Sequence, residues 1–209
     1  MRAFGGHHRC VACDQRRFGA TVAPQGTSLT QLADDAAALC AALGIARTAV
    51  VGLSMGGAVA QVLTLRHPAL VAAIVVAASS TLPVPPGGPV PTREGLRAVR
   101  ELSFSAPMRR AQPATVARII EECPGTDLAI LRHFATDDGA DFDPARLATP
   151  TLVVAGGADI LAPAPPLRAL AEALPHGAFR ELAGSGHWLN WEQPAVFAAA
   201  VETFLGRHA

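Results

Sequence analysis

A serine enclosed by two glycines is the residue with the clearest chemical potential in this sequence. It lies in the pattern G-x-S-x-G at residues 52–56, after the β-branched run Thr48–Val51 and ahead of a helical pattern. Between a strand and a helix, this pattern lifts the Ser54 hydroxyl above the edge of a sheet. Side chains in place of the two glycines would crowd the tight turn. We interpret Ser54 as a nucleophile; the alternative is an incidental serine in a glycine-rich turn.

A serine hydroxyl needs a base that removes its proton and an acid that orients the base. Asp159 follows the apolar run Thr151–Ala155, and His187 follows the run Phe179–Leu182. In a parallel sheet, both loops leave the carboxyl edge, which also carries Ser54. We predict that His187 is the base and that Asp159 is the orienting acid. The alternatives are an aspartate that serves a turn and a surface histidine in a glycine-rich loop.

The predicted helix directly after the serine adds hydrogen-bond donors to the same place. The positive end of its dipole faces the sheet edge that carries Ser54. The backbone N–H of Met55, the next residue, is placed where it can donate to an oxyanion. We therefore predict Met55 as one donor of an oxyanion hole.

The elements that must position these residues alternate between helices and strands. Ser28 and Gln31 have the spacing of a capping box, and the helix that they open carries an apolar stripe and closes at Gly44. The strand of the serine motif is followed by a helix and by the buried strand Val71–Ala78. Strands that are apolar on both faces predict the α/β class, with a mostly parallel sheet flanked by helices.

A break in this alternation predicts an inserted helical cap at residues 82–146. Three helical patterns follow a stretch rich in Pro and Gly: residues 94–102, 115–123 and 128–134. No strand pattern returns before Thr151. Because the segment is too short and too thinly apolar to fold alone, it is not a second domain. The core of the fold is therefore assigned to residues 1–81, which carry the serine, and to residues 147–209.

Apolar side chains of the predicted cap either line a substrate pocket or form the cap's own core. They are Leu96, Leu102, Phe104, Met108, Ile119, Ile120, Leu131 and Phe134. The sequence leaves both possibilities open, so the substrate-binding residues stay unassigned. Trp188 and Trp191, beside the predicted base, are expected to pack rather than to clamp a substrate.

The charge balance argues against several kinds of partner. Lys plus Arg and Asp plus Glu both number 17 among 209 residues, so the formal net charge is zero. Such a chain has no electrostatic footprint for nucleic acid or for an anionic membrane. No apolar run approaches the roughly 18 residues that span a bilayer, and no signal-peptide pattern is present, so a cytoplasmic protein is expected. The partner that we predict is instead a small acyl substrate, the kind of compound that a serine nucleophile attacks.

The four cysteines do not indicate a metal or redox function. Cys10 and Cys13 form a C-x-x-C pair, while Cys40 and Cys123 stand alone. No second ligand pair follows at zinc spacing, and no helix opens on the pair as it would in a redox motif. We expect a strand at Arg9–Cys13 that carries small apolar cysteines, and neither metal nor cofactor.

Four motifs together resemble the α/β-hydrolase fold superfamily. They are DQRRFG at residues 14–19, GLSMGG at residues 52–57, GGAD at residues 156–159 with Pro163, and Gly186-His187. Serine, acid and histidine also follow one another in the order of that family. The sequence is most similar to the esterase, lactonase and cofactor-free haloperoxidase group. The resemblance implies an eight-stranded sheet and a second oxyanion donor in the loop after the third strand.

The sequence departs from the family pattern at two places. Arg17 stands where the family usually has Gly, which strains that turn if it needs a positive φ. The segment before Arg9 is too short for the family's first three strands and its His-Gly oxyanion loop, so we expect these strands to be missing and to leave a gap in the sheet. A start upstream of Met1, a rearranged chain or self-association with another copy would each account for this.

These observations predict a serine hydrolase that acts on a small carboxylic ester, thioester or lactone through an acyl-enzyme on Ser54. A serine at this position excludes relatives with an Asp nucleophile, and the lack of Tyr excludes epoxide opening by cap tyrosines. The alternative is a truncated, weakly active or non-catalytic protein that binds ligands or partners through an exposed sheet edge. A fluorophosphonate label distinguishes the two, because it reports an activated serine whatever the substrate.

Overall fold

A parallel β-sheet forms the centre of the protein. The computed structural model describes residues 4–23, 28–79, 92–122 and 143–208. The strands are β1 (Thr48–Leu53), β2 (Val71–Ala77), β3 (Thr151–Gly156) and β4 (Gly177–Leu182). They lie in the spatial order β1-β2-β3-β4, and all neighbouring pairs are parallel. The parallel sheet predicted from the apolar runs is confirmed.

Helices cover both faces of this sheet. They are α1 (Leu29–Ala42), α2 (Met55–Arg66), α3 (Arg93–Leu102), α4 (Ala106–Ala111), α5 (Pro113–Glu122), α6 (Ala164–Ala173), α7 (Leu189–Glu192) and α8 (Pro194–His208), with a 3₁₀ turn at Pro144–Arg146. Helices α1, α2 and α6 pack on one face against Ile74 and Val153, and α8 packs on the other against Val75 and Val154. Because both faces are covered, every residue of β2 and β3 is buried. Within the described residues, no helix has the length and apolar character needed to cross a membrane.

The first helix begins and ends as its sequence predicts. Ser28 Oγ accepts a hydrogen bond from the Gln31 N–H, and Gln31 Oε1 accepts one from the Ser28 N–H, both at 3.0 Å. This reciprocal capping box supplies partners for two backbone donors at the helix start. After the helix, Gly44 has a φ of 67°, the left-handed conformation that glycine adopts without a steric penalty.

A cluster of charges joins α1 to the end of α2. The Arg66 guanidinium donates two hydrogen bonds to the Asp34 carboxylate, at 2.9 and 2.8 Å, and His67 Nε2 lies 2.9 Å from Asp34 Oδ1. The bond with Arg66, followed by the bond with His67, lowers the pKa of the Asp34 carboxyl from 3.8 to about 2. Because the side chains are nearly half exposed, water screens this interaction.

We expect Asp34→Asn to lower the free energy of unfolding by less than about 1 kcal/mol at neutral pH. The pKa of Asp34 is depressed in the folded state, to about 2 from 3.8, so the carboxylate stabilises the fold fully above about pH 4 and loses this effect as the pH falls towards 2. Urea unfolding at neutral pH and at steps down to pH 2 should show the difference between wild type and variant shrinking. Glu172→Gln, on the exposed surface of α6, is the control. A difference that persists at pH 2 would contradict the assigned pKa.

The prediction of a strand at Arg9–Cys13 is wrong. These residues pair with no strand in the described parts of the chain, and Val11 is 46% exposed. An extended segment gains little stability unless a neighbouring strand completes its hydrogen bonds. The gap expected in the middle of the sheet is not seen either, since β1 forms an edge of the described sheet. The described residues form four of the eight strands of the family's sheet, and none of them precedes β1, as expected for a sheet that lacks its first strands.

The turn after this segment has the strain that the sequence indicated. Arg17 adopts a φ of 66°, which is unfavourable for a residue with a side chain. Its N–H donates to Thr21 O at 2.9 Å, and Asp14 Oδ2 accepts a hydrogen bond from the Ala20 N–H at 3.0 Å. These bonds across the turn hold the backbone in a conformation that costs on the order of 1–3 kcal/mol.

Helices α3, α4 and α5 lie between β2 and β3 in the chain. Helices α3 and α5 fall where helical patterns predicted them, whereas α4 was not predicted. Side chains from the α4 and α5 region form a separate buried cluster: Phe104, Met108, Val116, Ile119 and Ile120. Four of the apolar residues discussed above therefore serve as the core of these helices, while Leu102 is 50% exposed. The helix predicted at residues 128–134, with Leu131 and Phe134, lies outside the described residues.

Candidate active site

Ser54 occupies a strained turn between β1 and α2. Its φ is 53° and its ψ is −122°, and a positive φ of this kind costs about 1–3 kcal/mol for a residue with a side chain. The Ser54 N–H donates to Ala77 O, and the Gly57 N–H donates to Ser54 O, both at 2.8 Å. These bonds hold the serine at the carboxyl end of β1. The same turn places it at the positively polarised start of α2.

Close approach of other atoms requires glycine at two positions of this turn. A Cβ on Gly52 would overlap the carbonyl oxygen of Gly56, and a Cβ on Gly57 would overlap the Ser79 side chain. Gly56 itself has open space around it among the described residues, so the crowding predicted there is wrong. Glycine is required at position 57 instead, because Ser79, which follows β2, packs against the first turn of α2.

The Asp159 carboxylate is buried and accepts hydrogen bonds through both oxygens. Its Oδ1 accepts from the N–H groups of Leu161 and Ala162, at 2.8 and 3.0 Å. Its Oδ2 lies 2.8 Å from His187 Nδ1. The side chain of Asp159 is 0% exposed and that of His187 is 11% exposed. With the carboxylate ionised, His187 Nδ1 carries the ring proton and donates a hydrogen bond to Asp159 Oδ2. Nε2 is then unprotonated and can act as a base.

The three residues selected from the sequence follow three strands of one parallel sheet. Ser54 follows β1, Asp159 follows β3 and His187 follows β4, all at the carboxyl ends. The structure brings Asp159 and His187 into direct contact. Among the described residues, His187 forms no hydrogen bond with Ser54. Hydrogen bonds between a nucleophile and its base often tighten only when substrate is bound, so the arrangement remains compatible with nucleophilic catalysis.

Trp188 fixes the loop of His187 against the helices between β2 and β3. Its ring stacks on Phe104 with 5.4 Å between the ring centroids, and its Nε1–H donates to Ser103 Oγ at 2.7 Å. The packing role that the sequence predicted for this tryptophan agrees with these contacts. Trp191 is 45% exposed.

Glu192 is a polar contact of the same loop that the sequence analysis did not select. Its Oε1 accepts hydrogen bonds from the backbone N–H groups of Ser105 and Gly186, both at 3.0 Å. Gly186 directly precedes the predicted base. Because one partner of Glu192 is a backbone group remote in sequence, no local pattern of residue types could have revealed this contact.

The chain belongs to the alpha/beta hydrolase family. A sequence profile of that family matches residues 1–200. The parallel sheet flanked by helices is accordingly an α/β-hydrolase fold, as the motifs at the serine, acid and histidine implied. Membership of this family supports hydrolysis as the general reaction class.

Several relatives and solved structures cover most of the chain. The 2-hydroxymuconate semialdehyde hydrolase of Pseudomonas putida is 29% identical over 217 residues, which span 94% of this chain and 76% of that protein. The structure of a hydrolase from Pseudomonas aeruginosa PA01 is 29% identical, with a TM-score of 0.82 over 98% of this chain and 82% of its own. The enol-lactonase from Burkholderia xenovorans LB400 is 28% identical, with a TM-score of 0.83 over 92% of this chain and 78% of its own.

Proposed function

We propose that this protein is a serine hydrolase of small carboxylic esters, thioesters or lactones, with Ser54, His187 and Asp159 as its catalytic triad. The observation that carries the proposal is the buried contact of 2.8 Å between His187 Nδ1 and Asp159 Oδ2, at the same sheet edge as the strained serine. A histidine held in this way presents its second ring nitrogen as a base, which is what a serine nucleophile requires.

Acylation would proceed by proton transfer from Ser54 to His187. As Ser54 Oγ attacks the substrate carbonyl carbon, His187 Nε2 takes the hydroxyl proton, and Asp159 stabilises the imidazolium that forms. The tetrahedral intermediate then collapses and the bond to the alcohol or thiol breaks. The leaving group takes the proton from His187, and the acyl group remains on Ser54 as an ester.

Stabilisation of the oxyanion is assigned to the start of α2. The backbone N–H of Met55 is the first of that helix, where the unpaired N–H groups and the helix dipole favour negative charge. One such donor typically contributes about 10²–10³ in turnover. In deacylation, His187 takes a proton from water, the hydroxide oxygen adds to the acyl carbon, and Ser54 leaves with the proton returned by His187.

Two observations support a small substrate with an apolar part. Ile160 and Leu161, next to Asp159, are 60% and 48% exposed and present apolar surface close to the buried acid. The likeness to an enol-lactonase, at 28% identity, supports a lactone or a related acyl compound. We assign residues 82–146 as a cap, and the contact between Trp188 and Phe104 supports its position beside His187.

Labelling with a fluorophosphonate tests the proposal without knowledge of the natural substrate. We expect the folded protein to be modified at Ser54, as read by mass spectrometry of its peptides, and to hydrolyse activated esters, thioesters or lactones from a panel. Heat-denatured protein is the control for non-specific labelling. A folded protein that resists the label and hydrolyses none of these compounds would contradict the proposal and favour the non-catalytic binding function.

A further inference from the structure

One carboxylate oxygen ties together two segments of the chain that are remote in sequence. Glu192 Oε1 accepts hydrogen bonds from the N–H of Ser105, at the start of α4, and from the N–H of Gly186, each at 3.0 Å. The carboxylate therefore fastens the loop of His187 to the turn between α3 and α4.

Further contacts from the same loop reach the same turn. The His187 N–H donates to Ser103 O at 2.8 Å, and the Trp188 Nε1–H donates to Ser103 Oγ at 2.7 Å. The approach at Gly186 is so close that a Cβ there would overlap Ser103 O. His187 and Trp188 are thus bonded directly to Ser103, and Gly186 is linked to Ser105 through Glu192.

The imidazole of His187 is restrained from two sides by independent groups. On the ring side, Nδ1 contacts Asp159 Oδ2 at 2.8 Å. On the backbone side, the N–H groups of Gly186 and His187 are bonded to Glu192 and Ser103, respectively. The contact with Asp159 fixes the direction of the ring, whereas the backbone bonds help to fix the point from which the side chain extends. A displacement of about 1 Å at a reacting group can lower the rate of reaction roughly 10²-fold.

We propose that Glu192 is a positioning residue that sets the distance of His187 from Ser54 by fastening Gly186 to the turn between α3 and α4. This inference rests on the serine hydrolase function proposed above. The essential property is a side chain long enough to place one acceptor oxygen within hydrogen-bond distance of both N–H groups. The negative charge of that side chain is not essential. Glu192 touches neither substrate nor reacting atoms in this scheme and acts through His187.

Variants that separate reach from charge test this proposal. Glu192→Gln keeps an acceptor oxygen at the same reach without the charge, whereas Glu192→Asp keeps the charge one methylene shorter. We expect Glu192→Asp and Glu192→Ala to lower kcat about 10- to 100-fold with little change in KM, and Glu192→Gln to keep most of kcat. The rate of hydrolysis of an activated ester is divided by the concentration of reactive Ser54, which is determined by titration with a fluorophosphonate. Misfolded protein therefore does not lower the kcat that is obtained. Glu172→Ala on α6 is the control.

The outcomes separate this inference from the function on which it rests. A purely structural role for Glu192 would lower the unfolding temperature of the variants but leave kcat per titrated serine unchanged, which would overturn the proposal. Activity retained in Glu192→Asp but lost in Glu192→Gln would overturn it as well, because charge would then matter more than reach. If Glu192→Ala fails to fold, the other two variants still decide. A folded wild type that neither reacts with the label nor hydrolyses the ester overturns both proposals.

Discussion

Ser54→Ala should abolish the hydrolysis of a short activated ester, with a loss on the order of 10⁴ to 10⁶ in turnover. The change removes the only atom that would form the acyl bond, and no described backbone group depends on it, because the Ser54 side chain makes no capping hydrogen bond to α2. The fold should therefore persist. Initial rates with a p-nitrophenyl ester, together with circular dichroism and the unfolding temperature, check both parts.

Ser185→Ala is the matched control for this experiment. The Ser185 hydroxyl is buried, lies two residues before His187 and has no hydrogen-bond partner among the described residues. Its removal should leave turnover close to that of the wild type. A Ser54→Ala protein that is folded and hydrolyses the ester at the wild-type rate would show that the nucleophile has been misassigned.

The parts of the fold that were predicted correctly depend on neighbouring residues in the chain. The capping box at Ser28 and Gln31 lies within one helical turn. The continuous apolar runs of β2 and β3 predict strands that are buried on both faces. The run at Arg9–Cys13 has a comparable composition but forms no strand in the described structure. A strand also needs a partner, and composition does not say whether one is present.

The candidate site was predictable to the extent that topology determines it. A parallel sheet sends every carboxyl end to one edge, so the positions of Ser54, Asp159 and His187 after strands were enough to expect them together. The crowding at Gly57 and the hydrogen bonds of Glu192 were not predictable. Both depend on contacts with distant segments, and the direction in which a side chain reaches such a segment is set by tertiary packing.

Asp159→Asn should keep the fold and still lower kcat by about 10⁴. The asparagine is nearly isosteric, and its orientation is dictated by the neighbours of the carboxylate. Oδ1 accepts from the N–H groups of Leu161 and Ala162, so the amide oxygen takes that place and the NH₂ group faces His187 Nδ1. The opposite orientation would set the NH₂ group against two N–H donors.

An NH₂ group facing His187 forces the wrong tautomer on the ring. Nδ1 must then accept a hydrogen bond, so the proton moves to Nε2, which can no longer take the proton of Ser54. Asp143→Asn is the matched control, because Asp143 Oδ1 also accepts a backbone N–H, that of Ala145 at 2.9 Å, but lies on the surface. Turnover of the same ester and the unfolding temperature are measured for both variants. Full activity in Asp159→Asn, with a large loss in Asp143→Asn, would show that the orienting carboxylate has been wrongly chosen.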